Sequence, residues 1–386
     1  MSLPADNHDG GADQDPGPVA PIAADDADSA LGEEDDILST SSLTSSVFDY
    51  IQEHGRTYNA YGERTYVLPN DEDADVVVLA DRIGSSRYVS GPGAPRFIGS
   101  LRVWMGSDLQ HQLLKMTFGD RLSTCGVEDR RDLHYVLDVG TGTGIWSIEY
   151  VDREKVLGVD VSPVQPDYVP PNVRFEVMDA GQPWAFNYSF DFVFSRFMTG
   201  AIADWRQFIQ QCYENLAPGG MLEVQDISFN LQCDDGTLPK NSALARWAAY
   251  MLEASKQLGC PLDSVESVKR IMIETGFVDV VQKPYSWPMN PWVKEEKLKK
   301  IGELSSIWTG SDGPENAHGN PNPIGLWTYH NFCGSLSGIS LALFTRGLSW
   351  SADELEVFLV DVRKDMRNTG YHAFWPIYSI SGTKPG

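Results

Sequence analysis

Short apolar runs alternate with longer stretches of helical spacing from Tyr135 onward. Five runs of five or six residues have the composition of strands, and they are Tyr135–Val139, Val156–Asp160, Val173–Met178, Phe190–Phe194 and Met221–Asp226. Apolar runs this short suit parallel strands that are covered on both faces. Their alternation with helical stretches predicts a doubly wound α/β domain.

The stretch between the fourth and fifth strands predicts an amphipathic helix. Asp204 can cap it, and the apolar residues from Trp205 to Leu216 fall on one helical face. Pro218-Gly-Gly220 then stops the helix, because proline and glycine break helical structure.

The C-terminal third continues the alternation after an interruption. A second helical stretch ends at Gly276, and Phe277–Val281 resumes as a strand. Residues 284–346 are rich in Trp, Pro and Gly, and we predict an irregular, aromatic-rich insertion there. Ser351–Glu354 forms a capping box that opens another helix, and the chain closes on a strand near Phe374–Ile380.

The N-terminal third divides into an acidic tail and a segment that precedes the sheet. Residues 1–40 carry eleven Asp or Glu and no Lys or Arg, so we expect residues 1–44 to be disordered. Residues 45–125 are predicted to form a lid, with a helix over Asp108–Leu122 and a Gly/Pro-rich loop over Ile83–Pro95. The main domain is then 126–386.

The charge and hydropathy of the chain indicate which kinds of partner it can bind. A net charge of −24 argues against direct binding to nucleic acid, which needs a basic face. The acidic tail can instead recruit a protein partner. The sequence lacks an apolar run of membrane-spanning length and a secretory leader, so we expect no membrane association and an intracellular protein, in the cytoplasm or the nucleus.

The first predicted strand runs directly into a glycine-rich turn, Asp138-Val-Gly-Thr-Gly-Thr-Gly144. Gly140, Thr141, Gly142 and Gly144 would let a nucleotide-like ligand approach the backbone closely. A dinucleotide fingerprint needs a third glycine where this chain has Ile145. The spacing therefore favours S-adenosylmethionine over NAD, and Asp138 is placed to meet the ammonium group of its methionine part.

Two further strands end in carboxylates. Asp160 ends the second strand and can accept hydrogen bonds from both ribose hydroxyls. Asp179 ends the third, where it can receive the adenine amino group while Met178 and Ala180 pack on the ring. Three successive strands that each end in a carboxylate support an S-adenosylmethionine site more strongly than the turn alone.

Nine segments of the chain resemble the fungal LaeA-like methyltransferases. They are Gly55–Tyr61, Tyr66–Asp71, Val136–Trp146, Gly158–Pro166, Val169–Glu176, Phe190–Arg196, Ala217–Gln225, Asp234–Thr237 and Gly382–Pro385. The resemblance implies a Rossmann-like class I methyltransferase fold with a seven-stranded, mostly parallel sheet, helices on both faces and an antiparallel last strand. By the same resemblance Val161 and Ser195 contact the cofactor, and Tyr58 and Tyr66 belong to a lid over it.

Members of this family act in fungal secondary metabolism, some as tailoring enzymes and others as nuclear regulators in the velvet complex. The resemblance therefore implies methyl transfer from S-adenosylmethionine, with a small-molecule natural-product intermediate as the favoured acceptor. A regulator that acts through a protein complex, and a methyltransferase fold that catalyses cyclisation or rearrangement, stay open as alternatives.

The residues that would act on the acceptor are less clearly marked. His330 and His372 are the best-placed candidates for a general base, with His330 preferred, and Arg196 follows the fourth strand, where substrates approach such a sheet. Trp308, Trp327 and Tyr329 can line an apolar pocket. No metal is expected, because the sequence lacks a clustered ligand motif and methyl transfer does not require one.

Overall fold

The computed structural model describes residues 50–59, 100–130, 132–152, 154–292 and 323–386. The acidic tail, the loop at 83–95, Tyr66 and Trp308 lie outside the described residues. The domain boundaries at 44 and 125 stay predictions.

The described chain forms nine strands. The strands are β1 (Tyr50–Glu53), β2 (Arg56–Asn59), β3 (Tyr135–Val139), β4 (Lys155–Asp160), β5 (Val173–Val177), β6 (Phe190–Arg196), β7 (Leu216–Ile227), β8 (Val278–Pro288) and β9 (Phe374–Thr383). β1 and β2 pair as an antiparallel hairpin, and the other seven form one sheet in the order β5-β4-β3-β6-β7-β9-β8.

Seven α-helices accompany them. The helices are α1 (Ser100–Thr117), α2 (Ile145–Tyr150), α3 (Trp205–Asn215), α4 (Ala243–Gln257), α5 (Val268–Thr275), α6 (Pro323–Ala342) and α7 (Ala352–Met366). The side chain of Asp204 accepts the backbone N–H groups of Arg206 and Gln207, and Ser351 forms the expected capping box with Glu354. Both predicted helix starts are confirmed.

The sheet carries apolar side chains on both faces, as the composition of its strands predicted. On one face Leu137, Val139 and Val193 pack with α3 and α5. On the other, Val136 and Phe194 pack with α2, where the ring of Trp146 stacks on Phe194. The predicted seven-stranded sheet with helices on both faces is confirmed.

The strand directions are also as predicted. β3, β4, β5, β6 and β7 run parallel, while β9 is antiparallel to both of its neighbours, β7 and β8. From β3 the chain winds outward to β4 and β5 and then returns to β6 on the other side of β3. The carboxyl ends of β3 and β6 therefore meet at the point where the winding reverses, which is where open α/β sheets bind ligands.

The prediction of an irregular segment over 284–346 is wrong for residues 284–288 and 323–346, while 289–292 are irregular as expected. Residues 284–288 belong to β8, and α6 runs from Pro323 to Ala342 and continues as one π-helical stretch, Leu343–Gly347. α6 contributes Ile324, Phe332 and Leu336 to the same buried cluster as α1, α4 and α7. A helix enclosed by several neighbours is apolar around much of its circumference, so it lacks the periodic polar face that predicts a helix.

Other boundaries shifted by a few residues. α1 begins at Ser100 and ends at Thr117, earlier than the predicted Asp108–Leu122. β7 begins at Leu216, so α3 already ends before Pro218-Gly-Gly220. Sequence patterns locate helix and strand ends only to within a few residues, because tertiary pairing decides them.

Candidate functional site

The glycine turn connects β3 to α2 and is fastened to β4. The backbone N–H groups of Gly140 and Thr141 donate to the carbonyl of Val159 at 2.8 and 3.0 Å. Gly140 and Gly144 have φ angles of 75° and 79°, a left-handed conformation that favours glycine. A Cβ at Gly140 would overlap Met198, whereas a Cβ at Gly142 would meet nothing within 4 Å. The turn thus leaves open space at its middle glycine.

The buried carboxylate of Asp138 stabilises the glycine turn through hydrogen bonds. It is 2% exposed, and its Oδ2 accepts hydrogen bonds from Thr141 Oγ1 at 2.6 Å and Ser147 Oγ at 2.7 Å. Burial raises the pKa of this carboxyl group, while the two hydroxyl donors oppose that shift. Among the described residues Oδ1 accepts no hydrogen bond, so one oxygen organises the turn and the other is available to a ligand.

Asp160 joins the end of β4 to the same turn. Its Oδ2 accepts the Gly142 N–H and its Oδ1 accepts the Ser162 N–H, both at 2.9 Å. Burial raises the pKa of this carboxyl group, against the effect of those backbone donors. Each oxygen keeps a further lone pair, so the carboxylate can also accept ribose hydroxyls. Val161 follows directly in the loop.

Gln165 is a residue that the sequence analysis did not single out. Its Nε2 donates to the carbonyl of Gly142 at 2.6 Å and to that of Ser162 at 3.0 Å. It therefore ties the glycine turn to the loop after β4. Its position within the resembling segment Gly158–Pro166 was the available signal.

The end of β5 reaches the same edge of the sheet. The Met178 N–H donates to the Asp160 carbonyl at 2.9 Å, and Asp179 Oδ1 accepts the Gly181 N–H at 2.8 Å. Ala180 is buried, and Met178 packs against the same apolar cluster. A polar carboxylate between two apolar neighbours suits recognition of a purine ring.

Ser195 and Arg196 end β6 beside the glycine turn. Ser195 is opposite Val139 in the sheet register, and its Oγ is buried without a partner among the described residues. Arg196 is partly buried, with its guanidinium carbon 5.9 Å from the centre of the Phe194 ring. Burial lowers the pKa of Arg196 to about 10, so the side chain is a cation at neutral pH.

His111 of α1 contacts Arg196 and was not predicted as a site residue. It is 0% exposed, its Nδ1 lies 2.9 Å from Arg196 Nη2, and its Nε2 lies 3.1 Å from Glu149 Oε2. Arginine only donates, so Nδ1 is the acceptor and the ring proton is on Nε2, facing the carboxylate. Burial, aided by Arg196, lowers the pKa of His111 to about 4 and keeps the ring neutral. Lys115 Nζ lies 2.9 Å from the same Glu149 oxygen.

Asp226 at the end of β7 is a third residue that was not predicted as part of the site. Its Oδ2 accepts the backbone N–H groups of Met198 and Thr199, both at 2.8 Å, and Oδ1 accepts that of Ile227 at 2.8 Å. Burial raises its pKa to about 7. Asp226 therefore fixes the turn that follows Arg196. Its place at the end of the fifth predicted apolar strand could have indicated a role at this edge of the sheet.

Two predicted site residues, Tyr58 and His330, make their described contacts away from the strand ends. The Tyr58 ring of the β1–β2 hairpin is fully buried, and the guanidinium carbon of Arg346 lies 4.5 Å from its centre. His330 lies on α6, where its ring contacts that of Tyr329 edge to face at 5.4 Å. Hydrogen bonds join the glycine turn to Asp138, Asp160 and Gln165, and sheet pairing places Ser195 beside Val139. Tyr58 and His330 instead contact Arg346 and Tyr329, which lie on the π-helical stretch and on α6.

Over residues 50–59, 100–130, 132–152, 154–292 and 323–386, no group of His, Cys, Asp or Glu side chains is arranged to hold a metal ion. None of the helices in those ranges is long and apolar enough to cross a membrane.

The sequence is similar to several fungal proteins, and a family model described as a methyltransferase domain matches residues 107–282. Methyltransferase pytC of Aspergillus terreus is 30% identical over 90% of this chain and 92% of its own length. Probable methyltransferase tdiE of Emericella nidulans is 31% identical over 72% of this chain and 80% of its own. Secondary metabolism regulator LAE1 of Cochliobolus heterostrophus is 26% identical, with 86% and 94% covered. The relatives match over most of their length and of this chain, and the glycine turn and the carboxylates lie together at one edge of the sheet. The chain therefore belongs to the LaeA-like family of fungal S-adenosylmethionine-dependent methyltransferases.

Proposed function

We propose that this chain transfers the methyl group of S-adenosylmethionine to a small-molecule intermediate of fungal secondary metabolism. The observation that carries the proposal is an aromatic layer that begins one residue after Arg196. The layer consists of Phe197 and Phe229, which are half-buried, and of Phe332, Trp287 and Trp375, which are buried. Phe197 follows Arg196 directly, so an apolar acceptor bound against the exposed parts of Phe197 and Phe229 would lie beside the cofactor.

Contacts between these rings support a preformed apolar wall. Phe197 and Trp287 lie 5.7 Å apart between ring centres, Phe229 and Phe332 lie 6.0 Å apart, and Phe332 stacks on Trp375 at 5.4 Å. Aromatic rings at these distances attract each other beyond their burial alone. An aromatic or polyketide-like acceptor has the chemistry that such a wall recognises.

The residues of the strand ends fit S-adenosylmethionine. Asp160 takes the ribose hydroxyls, Asp179 takes the adenine amino group between Met178 and Ala180, and the unused oxygen of Asp138 takes the ammonium. The open space at Gly142 admits the ligand to the backbone. When bound, the cofactor supplies a methyl group on a positively charged sulfur. The protein's contribution is to hold this donor and the acceptor in line and to exclude water.

Removal of a proton from the acceptor is assigned to His330. Its neighbour Trp327 packs with the same buried cluster as the aromatic layer, so α6 is the helix that can present a base to an acceptor bound there. Asp226 keeps Met198 and Thr199 in place at the mouth of the site. Tyr58 and Tyr66 are assigned to a lid over the cofactor, on the basis of the resemblance to the LaeA-like family.

A second candidate function is a regulator that modifies a protein. Two observations favour it, namely the acidic tail with its eleven carboxylates and the relatives named secondary metabolism regulators. The tail would then recruit the protein partner. A methyltransferase fold that catalyses cyclisation or rearrangement is the third candidate.

One labelling experiment separates these candidates. The protein is incubated with S-adenosylmethionine labelled in its methyl group and with an extract of fungal mycelium, and the label is then located. Label in a small organic product supports the proposal. Label in protein supports the regulator, and tight cofactor binding without any transfer supports the third candidate. A Gly142→Val variant serves as the control that should label nothing.

A further inference from the structure

Arg196 occupies the reversal point of the sheet, next to the glycine turn. It ends β6 one residue after Ser195, which pairs with Val139 at the end of β3. Its guanidinium lies over Phe194, on the face of the sheet that α2 covers. The cation thus lies on the same face of the sheet as the helix that begins from the glycine turn.

This guanidinium has no anionic partner among the residues that the structure describes. Its one hydrogen bond goes to the neutral ring of His111, and no described carboxylate oxygen lies within salt-bridge distance. The negative charges of Asp138 and Glu149 act on it only through space. A guanidinium has five N–H donors, so four remain for a ligand. A partly buried cation that lacks a charged partner among the described residues is suited to binding an anionic ligand.

The hydrogen bond that Arg196 donates to His111 Nδ1 gives the guanidinium a defined direction. His111 is buried against Arg196, and its Nε2 lies 3.1 Å from a carboxylate oxygen of Glu149 that also contacts Lys115. Glu149 belongs to α2, the helix of the glycine turn, and His111 belongs to α1. The three side chains therefore connect α1, α2 and β6 around one donor surface.

Asp138 lies close enough to Arg196 to interact electrostatically with it, and its Oδ1 is unused. A carboxylate and a guanidinium that lie beyond salt-bridge distance of each other, each with free hydrogen-bonding capacity, form a complementary pair for an α-amino acid group. S-adenosylmethionine carries one such group, with an ammonium and a carboxylate on the same carbon. An arginine matches a carboxylate with two parallel hydrogen bonds.

We propose that Arg196 binds the α-carboxylate of S-adenosylmethionine while Asp138 binds its ammonium, and that His111 and Glu149 are positioning residues for Arg196. This extends the cofactor site of the proposed function and is independent of the acceptor. It replaces a catalytic role for Arg196 with a binding role. α1 becomes part of the cofactor site through His111, and α2 does so through Glu149.

In this test S-adenosylmethionine and its decarboxylated analogue differ in the carboxylate alone, whereas 5′-methylthioadenosine lacks the whole amino-acid part and the positive charge on sulfur. Binding of S-adenosylmethionine, its decarboxylated analogue and 5′-methylthioadenosine to the full chain is measured by calorimetry. Arg196→Gln should weaken S-adenosylmethionine about 10- to 100-fold, the usual effect of losing a hydrogen bond to a charged group. Affinity for the decarboxylated analogue and for 5′-methylthioadenosine should be unchanged. Arg196→Lys should recover part of the loss.

The matched control is Arg206→Gln. Arg206 is exposed on α3 and pairs with Glu274, so its loss should change none of the three affinities. Two outcomes overturn the proposal. One is an Arg196→Gln variant that binds S-adenosylmethionine as the wild type does. The other is a variant that loses all three ligands equally, which would indicate damage to the fold or a role in acceptor binding.

The positioning residues are tested by the ratio of the affinities for S-adenosylmethionine and its decarboxylated analogue. His111→Phe removes the acceptor of Arg196 and should lower this ratio, while His111→Asn keeps an acceptor oxygen near Nδ1 and should restore part of it. Glu149 is half-exposed, so Glu149→Ala should lower the affinity ratio less than His111→Phe does. It is the variant to measure if His111→Phe does not fold. A ratio equal to that of the wild type in these variants overturns the positioning role. These affinity ratios are measured without methyl transfer. They would therefore still test the role of Arg196 if the labelling experiment found no labelled product.

Discussion

The sulfur of Met198 lies over Gly140, in the space that a side chain at position 140 would occupy. Met198 belongs to the turn after β6, and its backbone N–H is held by Asp226. The glycine turn and the turn after β6 are therefore packed against each other at the reversal point of the sheet. Substitutions at either turn should change the geometry of the other.

Gly140→Ala should both destabilise the protein and weaken cofactor binding. The new Cβ overlaps Met198, and the left-handed backbone adds strain, for a combined loss of about 2 to 4 kcal/mol in the free energy of unfolding. Affinity for S-adenosylmethionine should fall at least about tenfold, because the turn must move. Urea unfolding and calorimetry measure the two effects.

Gly219→Ala is the matched control for that variant. Gly219 has a φ of 78°, close to that of Gly140, but a Cβ there meets nothing within 4 Å. It should cost about 1 to 2 kcal/mol and leave cofactor affinity intact. Equal effects of the two substitutions on affinity would show that Met198 does not determine the shape of the turn.

Asp160→Ala should remove binding of every ligand that contains the ribose. It deletes the proposed acceptor of the hydroxyls and the partner of the Gly142 N–H, so affinity should fall about 100-fold or more. In contrast to Arg196→Gln, it should weaken S-adenosylmethionine and 5′-methylthioadenosine alike. Circular dichroism should be unchanged. Asp361→Ala, on the exposed face of α7, is the carboxylate control, and normal binding by Asp160→Ala would refute the ribose assignment.

Asp226 should give the stability of the protein a pH dependence. Burial raises its pKa to about 7, above the value of 3.8 in an unfolded chain. Between these values the folded protein binds more protons than the unfolded chain, so stability falls as the pH rises from about 4 to 7 and then levels off. Asp226→Asn cannot titrate and should lack this contribution.

The measurement is urea unfolding of the wild type and of Asp226→Asn across pH 4 to 8. Relative to the variant, the wild type should lose a few kcal/mol over this range, as the integrated shift requires. A difference between the two proteins that stays constant with pH would contradict the raised pKa of the buried carboxyl group.

His330→Gln should slow methyl transfer about 100-fold or more without changing cofactor affinity, if proton removal from the acceptor limits the reaction. The rate is measured with the acceptor that labelling identifies. His372→Gln is the comparison, because the His372 ring is tied to Asp235 and should not act on the acceptor. A His330→Gln variant with a normal rate would exclude this residue as the base.

The strand-end carboxylates could be predicted because their signal is local. Asp138, Asp160 and Asp179 each stand at the end of an apolar run or directly after it, and parallel strands bring such positions to one edge. His111 carries no comparable signal. It contacts Arg196 across 85 residues of sequence, and that contact depends on how α1 packs against α2.

Long-range packing also explains the missed helix α6. Gly325 in its first turn would suggest a helix breaker, yet a Cβ there would collide with the backbone of Asn290. The glycine is required by the close approach of another segment, which a local pattern does not show. Similarly, α4 packs in the same cluster as α6 and was not singled out from the sequence.

The insertion of β9 between β7 and β8 has a consequence for biosynthesis. On the ribosome β7 and β8 emerge before β9, so both present an unpaired edge until residues 374–383 have left the exit tunnel. Exposed strand edges recruit other chains. Premature termination before Phe374 should therefore yield aggregates that chaperones must clear, even though every residue of the cofactor site has been synthesised.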